Sequence, residues 1–157
     1  MPMATLRINH VSVNATDLQA SIDFYVGLLG ARPIPTLDFG FPVQWLEVGD
    51  CQLHLFEKPI QPTSHHHCAI TVDDLEPVFA FAEAGGHFDH GDFGHHLFRL
   101  PGDVAQLYVR DPGGNLLEID SPGADALPGR IRAQARIFED VHPQSPETLQ
   151  ARLPVTA

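Results

Sequence analysis

Hydrophobic and polar positions along this chain switch between two periods, and the switch happens twice. Near the N-terminus the alternation has period two: Ile8, His10 and Ser12 fall on one face of an extended segment, Val11 and Val13 on the other. The period then lengthens to that of a helix. Leu18, Ile22, Tyr25 and Leu29 recur at helical spacing, with Asp17 placed as N-cap and Gly30 as terminator. Strand-like runs follow over Arg32–Asp38, Val43–Val48 and, past a Gly49-Asp50 turn, Cys51–Glu57.

The same order then returns. His65-His66-His67-Cys68-Ala69-Ile70-Thr71-Val72-Asp73-Asp74-Leu75 aligns with Ile8-Asn9-His10-Val11-Ser12-Val13-Asn14-Ala15-Thr16-Asp17-Leu18, and in each a histidine precedes Asp-Leu by seven residues. Asp74 is the second N-cap. Leu75, Val78, Phe79 and Ala82 form the second apolar stripe, with Pro77 in the first turn, where a helix tolerates it, and Gly85-Gly86 at the end. Strands are expected over Leu97–Leu100, Val104–Asp111 and Leu116–Asp120, separated by Pro101-Gly102-Asp103 and Pro112-Gly113-Gly114 turns. The fold class is therefore α+β, with two tandem βαβββ modules forming half-barrel sheets. One domain is expected over residues 1–121, made of module 1 at about 5–57, a proline-containing linker at 58–64 and module 2 at about 65–121. Residues 122–157 form a C-terminal extension with one short helix expected at about 129–140.

Strand alternation also sorts the chemistry. If the helices cover the apolar faces, His10 and His67 point into the concave side of the sheets. On the last strand of each half the inward positions are Gln52, His54 and Phe56, and Leu116, Glu118 and Asp120. The repeat matches His10 to His67 and His54 to Glu118. Two imidazoles and a carboxylate suit Fe, Zn, Ni, Mn or Co, and a fourth ligand leaves two adjacent octahedral positions for two oxygens of a substrate. His87, His90, His95 and His96 read as loop histidines, any one of which can line the pocket as an acid or base.

Composition narrows the partners. The net charge is −11, with Lys58 the single lysine, so a phosphate backbone is repelled and nucleic acid is not an expected partner. Hydrophobic residues at 43% and charged residues at 18% describe a globular chain, and no apolar run reaches the ~20 residues of a membrane span. The first six residues lack the pattern of a secretory signal. Two cysteines, Cys51 and Cys68, both in expected strands, point to a reducing cytoplasm rather than a disulfide framework.

The stretches INHVSVNATDLQASIDFYVGLLG, HHHCAITVDDL and LYVRDPGGNLLEID together resemble the vicinal oxygen chelate superfamily of glyoxalases, bleomycin-resistance proteins and extradiol dioxygenases, from Met3 to about Ser121. In metal-binding members the ligands lie on the first and last strands of each half, which implies His10, His54, His67 and Glu118 here; many members carry Glu or Gln where this chain has His54. The resemblance implies one divalent ion, a small-molecule substrate with vicinal oxygens, and a homodimer. Leu107-Tyr108 followed by Asp111-Pro112, Gly114 and Glu118 is similar to the end of the extradiol dioxygenase signature, in which the tyrosine contacts the bound oxygens. Glyoxalase I uses carboxylates at the two opposed ligand positions, here Glu118 and His54. Glu118, Tyr108 and His54 are accordingly the expected catalytic residues. Two histidines with a glutamate match the iron facial triad, which places a non-haem Fe(II) dioxygenase ahead of a glyoxalase I-type isomerase or lyase. An antibiotic-resistance thiol transferase comes third, and a metal-free drug- or metabolite-binding protein is the non-enzymatic alternative.

Overall fold

Residues 8–155 are described by a computed structural model; Met1–Arg7, with the segment read as lacking a secretory signal, and Thr156 and Ala157 lie outside the described residues. The chain is mixed α+β and its sheets are not closed. It divides into two compact units. One holds the chain up to Pro62 together with Pro112–Asn115; the other holds Thr63–Asp111 and the chain from Leu116 onward.

The first unit runs β1 (His10–Ala15), α1 (Leu18–Leu29), β2 (Arg32–Ile34), β3 (Val43–Val48) and β4 (Cys51–Glu57), in the sheet order β1-β4-β3-β2. Asp17 caps α1 by accepting from the Ala20 amide at 2.9 Å, and Gly30 ends it at φ 64°, a left-handed conformation that favours glycine. The buried stripe of α1 is Ser21, Phe24, Tyr25 and Leu28, rotated by about one position from the expected stripe; of the expected four, only Tyr25 is fully buried. Both sets lie within the ~100° arc that a helix buries, so spacing alone does not separate them. β2 stops at Ile34 rather than Asp38, because Pro35 has no amide for the ladder. Thr36 substitutes a side chain for the missing ladder and accepts from the Trp45 amide at 2.9 Å.

The second unit repeats the arrangement with β5 (His67–Thr71), α2 (Leu75–Gly85), β6 (Leu97–Leu100), β7 (Val104–Arg110) and β8 (Leu116–Pro122), in the order β5-β8-β7-β6. Asp74 caps α2 through the Glu76 amide at 2.9 Å, and the buried stripe is the expected Leu75, Val78, Phe79 and Ala82. In both units the first and last strands pair in parallel. β1 sets Ser12 opposite His54, and β5 sets Ala69 opposite Glu118. His10 and His67 therefore stand at the same diagonal offset from their counterparts, which is the repeat expressed as register.

The C-terminal extension packs on the second unit, but not as one helix over 129–140. That segment is split into α3 (Gly129–Arg132), β9 (Arg136–Ile137) and α4 (Phe138–Val141). β9 adds to the open edge of β6 in parallel, pairing Phe98 with Arg136 and Arg99 with Ile137. An unpaired edge offers backbone donors and acceptors that outcompete a short marginal helix. Phe138 then packs on the Phe98, Tyr108 and Leu116 cluster, Ile131 is fully buried, and Arg99 makes two hydrogen bonds to Asp125 at 2.8 and 2.9 Å.

Because Ile131 is buried against the body of the chain, Ile131→Ala is expected to cost about 2–4 kcal/mol of unfolding free energy, as buried large-to-small changes do. Urea unfolding reads this directly. A loss below about 0.5 kcal/mol would mean that the extension does not share the core.

Candidate metal centre

Parallel pairing of β5 with β8 places His67 diagonally across from Glu118 on one sheet face. His67 Nε2 lies 3.3 Å from Glu118 Oε2, while His67 Nδ1 is 2.9 Å from the His65 carbonyl. A carbonyl only accepts, so the neutral ring carries its proton on Nδ1 and turns the Nε2 lone pair toward a carboxylate oxygen. Two lone pairs facing one another at that distance repel unless a proton or a cation lies between them. With metal–ligand bonds of about 2.1 Å, neighbouring ligand atoms stand roughly 3.0–3.4 Å apart, so the pair fits a divalent ion. Gln106 Nε2 donates to the other carboxylate oxygen at 2.9 Å and fixes its plane. Glu118 is buried and His67 is open, so approach is from the His67 side.

Tyr108 pairs directly across β7–β8 with Glu118, and Gln106 with Asp120. Burial first, then the Glu118 carboxylate, push the Tyr108 phenol well above its ordinary range, so it remains a hydrogen-bond donor. Asp120 lies on the same face, two residues on. Burial and then repulsion from Glu118 raise its carboxyl to about 8, and its Oδ1 makes no hydrogen bond.

The first unit carries the other predicted couple. His54 is buried between two flat neighbours, with Trp45 stacked at 4.4 Å and His10 at 4.2 Å between ring centroids. Its Nε2 donates to Gln52 Oε1 at 2.9 Å, which leaves Nδ1 as the lone-pair nitrogen, and His10 Nδ1 meets the Asn9 side-chain oxygen. Burial, and secondly His10, lower the His54 pKa, which favours the neutral form a metal requires. The four expected ligands thus form two couples, His10 with His54 and His67 with Glu118, each inside one unit.

Several residues around these couples were not singled out from the sequence. Gln106 is one; it shares a face with Tyr108 by simple alternation, which is the signal that identifies it. Trp45 is another, placed by its direct pairing with His54 across β3–β4. Phe93 carried no signal, yet it stacks on Tyr108 at 4.1 Å between centroids. A cavity of about 360 Å³ opens beside Gln106 and Tyr108, walled by Phe93, Phe98 and Leu100 and closed by Phe138, His142 and Arg152 of the extension. Its wall is mostly apolar and aromatic, with Gln106 and Tyr108 at the sheet end and His142, Gln144, Thr148 and Arg152 at the extension end, the usual mix of a small-molecule site. Among the loop histidines, His96 is buried rather than exposed. Burial, with smaller contributions from His95 and His90, pushes its pKa down to about 4, against a weaker pull from Gln134.

No helix among the described residues is long and apolar enough to cross a membrane. A profile of the Glyoxalase/Bleomycin resistance protein/Dioxygenase superfamily matches residues 7–119. Virulence protein STM3117 of Salmonella typhimurium is 28% identical over 122 residues, covering 72% of this chain and 82% of that protein. Among solved structures, Oxidase ChaP-H2 aligns with a TM-score of 0.64 at 23% identity, over 77% of this chain and 99% of its own. Lactoylglutathione lyase from Agrobacterium tumefaciens aligns at 0.58 and 23% identity, over 76% and 96%. The fosfomycin resistance protein FosX from Listeria monocytogenes aligns at 0.59 and 14% identity, over 74% and 91%. At these identities the structural likeness is one of fold. Members of the superfamily are typically small-molecule-binding dimers and generally bind a divalent metal. With the profile spanning most of its length and both βαβββ modules in place, this chain belongs to the glyoxalase, bleomycin resistance protein and dioxygenase superfamily.

Proposed function

We propose that the protein is a metal-dependent enzyme acting on a small molecule with two adjacent oxygens. The observation that carries this reading is the His67–Glu118 pair, two ligand-competent atoms held at 3.3 Å with their other polar atoms already satisfied. His10 and His54 are the other two ligands that the family resemblance implies. When bound, a divalent ion supplies Lewis acidity to both substrate oxygens and stabilises the negative charge that develops on them.

The chain's own residues perform the remaining work. Gln106 and the His65 carbonyl lock the orientation of Glu118 and His67, so no rearrangement is needed when charge develops. Tyr108, directly opposite Glu118, offers its hydroxyl proton to a substrate oxygen. Phe93 and Phe98 present aromatic surface to a planar substrate, and the extension excludes water from the far end of the cavity. Among reactions we place a non-haem Fe(II) dioxygenase first, because two histidines with one glutamate match the iron facial triad and Tyr108 stands directly opposite Glu118. A glyoxalase I-type lyase uses a carboxylate at each of the two opposed ligand positions, and here one of those positions holds His54.

Two measurements test this. In protein purified without oxygen and loaded with iron, His67→Ala and Glu118→Ala should each lose one equivalent of bound metal, whereas His66→Ala, one register position away, should keep it. Equal loss in His66→Ala and His67→Ala would refute the register argument. The second compares catechol with its monomethyl ether on the iron form, following ligand-to-metal absorption. Removing one of two metal–oxygen bonds should weaken binding at least about tenfold, since ~1.4 kcal/mol is a factor of ten. Oxygen uptake with the catechol identifies the dioxygenase, and turnover of a hemithioacetal without oxygen uptake identifies the lyase. Equal affinities, unchanged by removing the metal, would mean that the pocket binds by stacking alone.

A further inference from the structure

The segment between α2 and β6 gathers three histidines that the strand-borne site does not use. His96 is 5% exposed, with the Phe88 ring stacked on it at 4.3 Å between centroids and Phe79 at 6.2 Å. Neither of its ring nitrogens has a hydrogen-bond partner within 3.5 Å among the described residues. A buried imidazole with an unmet donor and an unmet acceptor is destabilising, so this is an unfavourable place for a histidine without a ligand. Its polar neighbours are the Gln134 side chain and two further imidazoles. His95 and His90 sit at 4.7 and 4.8 Å from His96 between ring centroids, and one nitrogen from each of the three lies within 4.8 Å of the others.

We propose that His90, His95 and His96 hold a divalent transition-metal ion at a second site with ligands of its own. The donor chemistry sets the ion's class. Three neutral imidazoles suit Zn(II), Co(II), Ni(II) or Cu(II) and are poor ligands for Mg(II) or Ca(II), which require oxygen. His95 shows the support a ligand histidine needs. Its Nε2 donates to the Gln134 carbonyl at 2.6 Å, which leaves Nδ1 as the lone-pair nitrogen and fixes the ring's direction. Bonds of about 2.0–2.1 Å to a tetrahedral ion bring ligand nitrogens to about 3.4 Å from one another, so the cluster must close by up to roughly 1.4 Å. His90 is exposed and free to make that closure by side-chain rotation, while His96 is held by its aromatic neighbours. Three ligands leave a fourth tetrahedral position for water or an incoming donor. Because His95 bonds to Gln134, between α3 and β9, the ion also ties the C-terminal extension to the segment between α2 and β6.

The test starts from a parent variant with His65, His66, His67 and Glu118 all replaced by alanine, which removes the strand-borne pair and the exposed histidine run. Co(II) titration of this parent, followed by visible d–d absorption, and Zn(II) titration by calorimetry should both show one remaining equivalent. Adding His90→Ala or His95→Ala should weaken it at least about tenfold, and adding both should remove it. Mg(II) in excess should not compete. His96→Phe should act likewise, and because His90 is exposed, His90→Ala gives a reading even if His96→Phe folds poorly. A parent that binds no metal, or one whose affinity is unchanged by His90→Ala together with His95→Ala, would overturn the proposal. Failure of the strand-borne site reads differently: its equivalent would then survive His67→Ala and Glu118→Ala in an otherwise unaltered chain.

Discussion

A buried carboxylate that faces an imidazole lone pair is unstable on its own, and much of the second unit is arranged around that contact. Gln106 from β7 orients Glu118, and the carbonyl of His65 orients His67, so that the two groups face one another. The ladder between β5 and β8 sets the separation, since the diagonal offset of His67 from Glu118 follows from Ala69 pairing with Glu118. A slip of one residue would send both side chains to the opposite face. The β7 residues that surround the pair, Gln106 and Tyr108, are positioned by the same rule. The ladder thus carries a requirement that is chemical as much as structural: a cation, or a proton, belongs between two groups that the backbone holds in place.

Much of this was legible from alternation and repetition. Two histidines each seven residues before Asp-Leu locate two strands and two helix caps, and Asp17 and Asp74 do cap α1 and α2. The inward registers of His54 and Glu118 follow from period two, because strand faces leave no intermediate choice. Helix faces do leave one, and so the α1 stripe sits one position from its expected place while the α2 stripe does not. What sequence could not convey depends on partners distant along the chain. The 129–140 segment has a helix-compatible composition, yet the vacant edge of β6 captures Arg136 and Ile137. His96 looks like any loop histidine until Phe79 and Phe88 close around it. The charge of −11 carries no information about either site.

The two halves repeat in topology and differ in content. The first presents an aromatic wall in which His54 lies between Trp45 and His10. The second presents the carboxylate, the tyrosine, the cavity and the extension that closes it. Such divergence is what duplication allows: one ladder geometry is kept in both copies while the residues on it specialise, so that shared fold does not imply shared chemistry.

The central claim is that a metal ion binds between His67 and Glu118, and the most direct measurement is X-ray absorption at the zinc edge. It is made on protein carrying His90→Ala and His95→Ala, loaded with one equivalent of Zn(II). The account predicts a mixed shell of nitrogen and oxygen neighbours at about 2.0–2.2 Å, with the outer-shell scattering of imidazole rings. A shell of oxygen alone, without imidazole scattering, would contradict it.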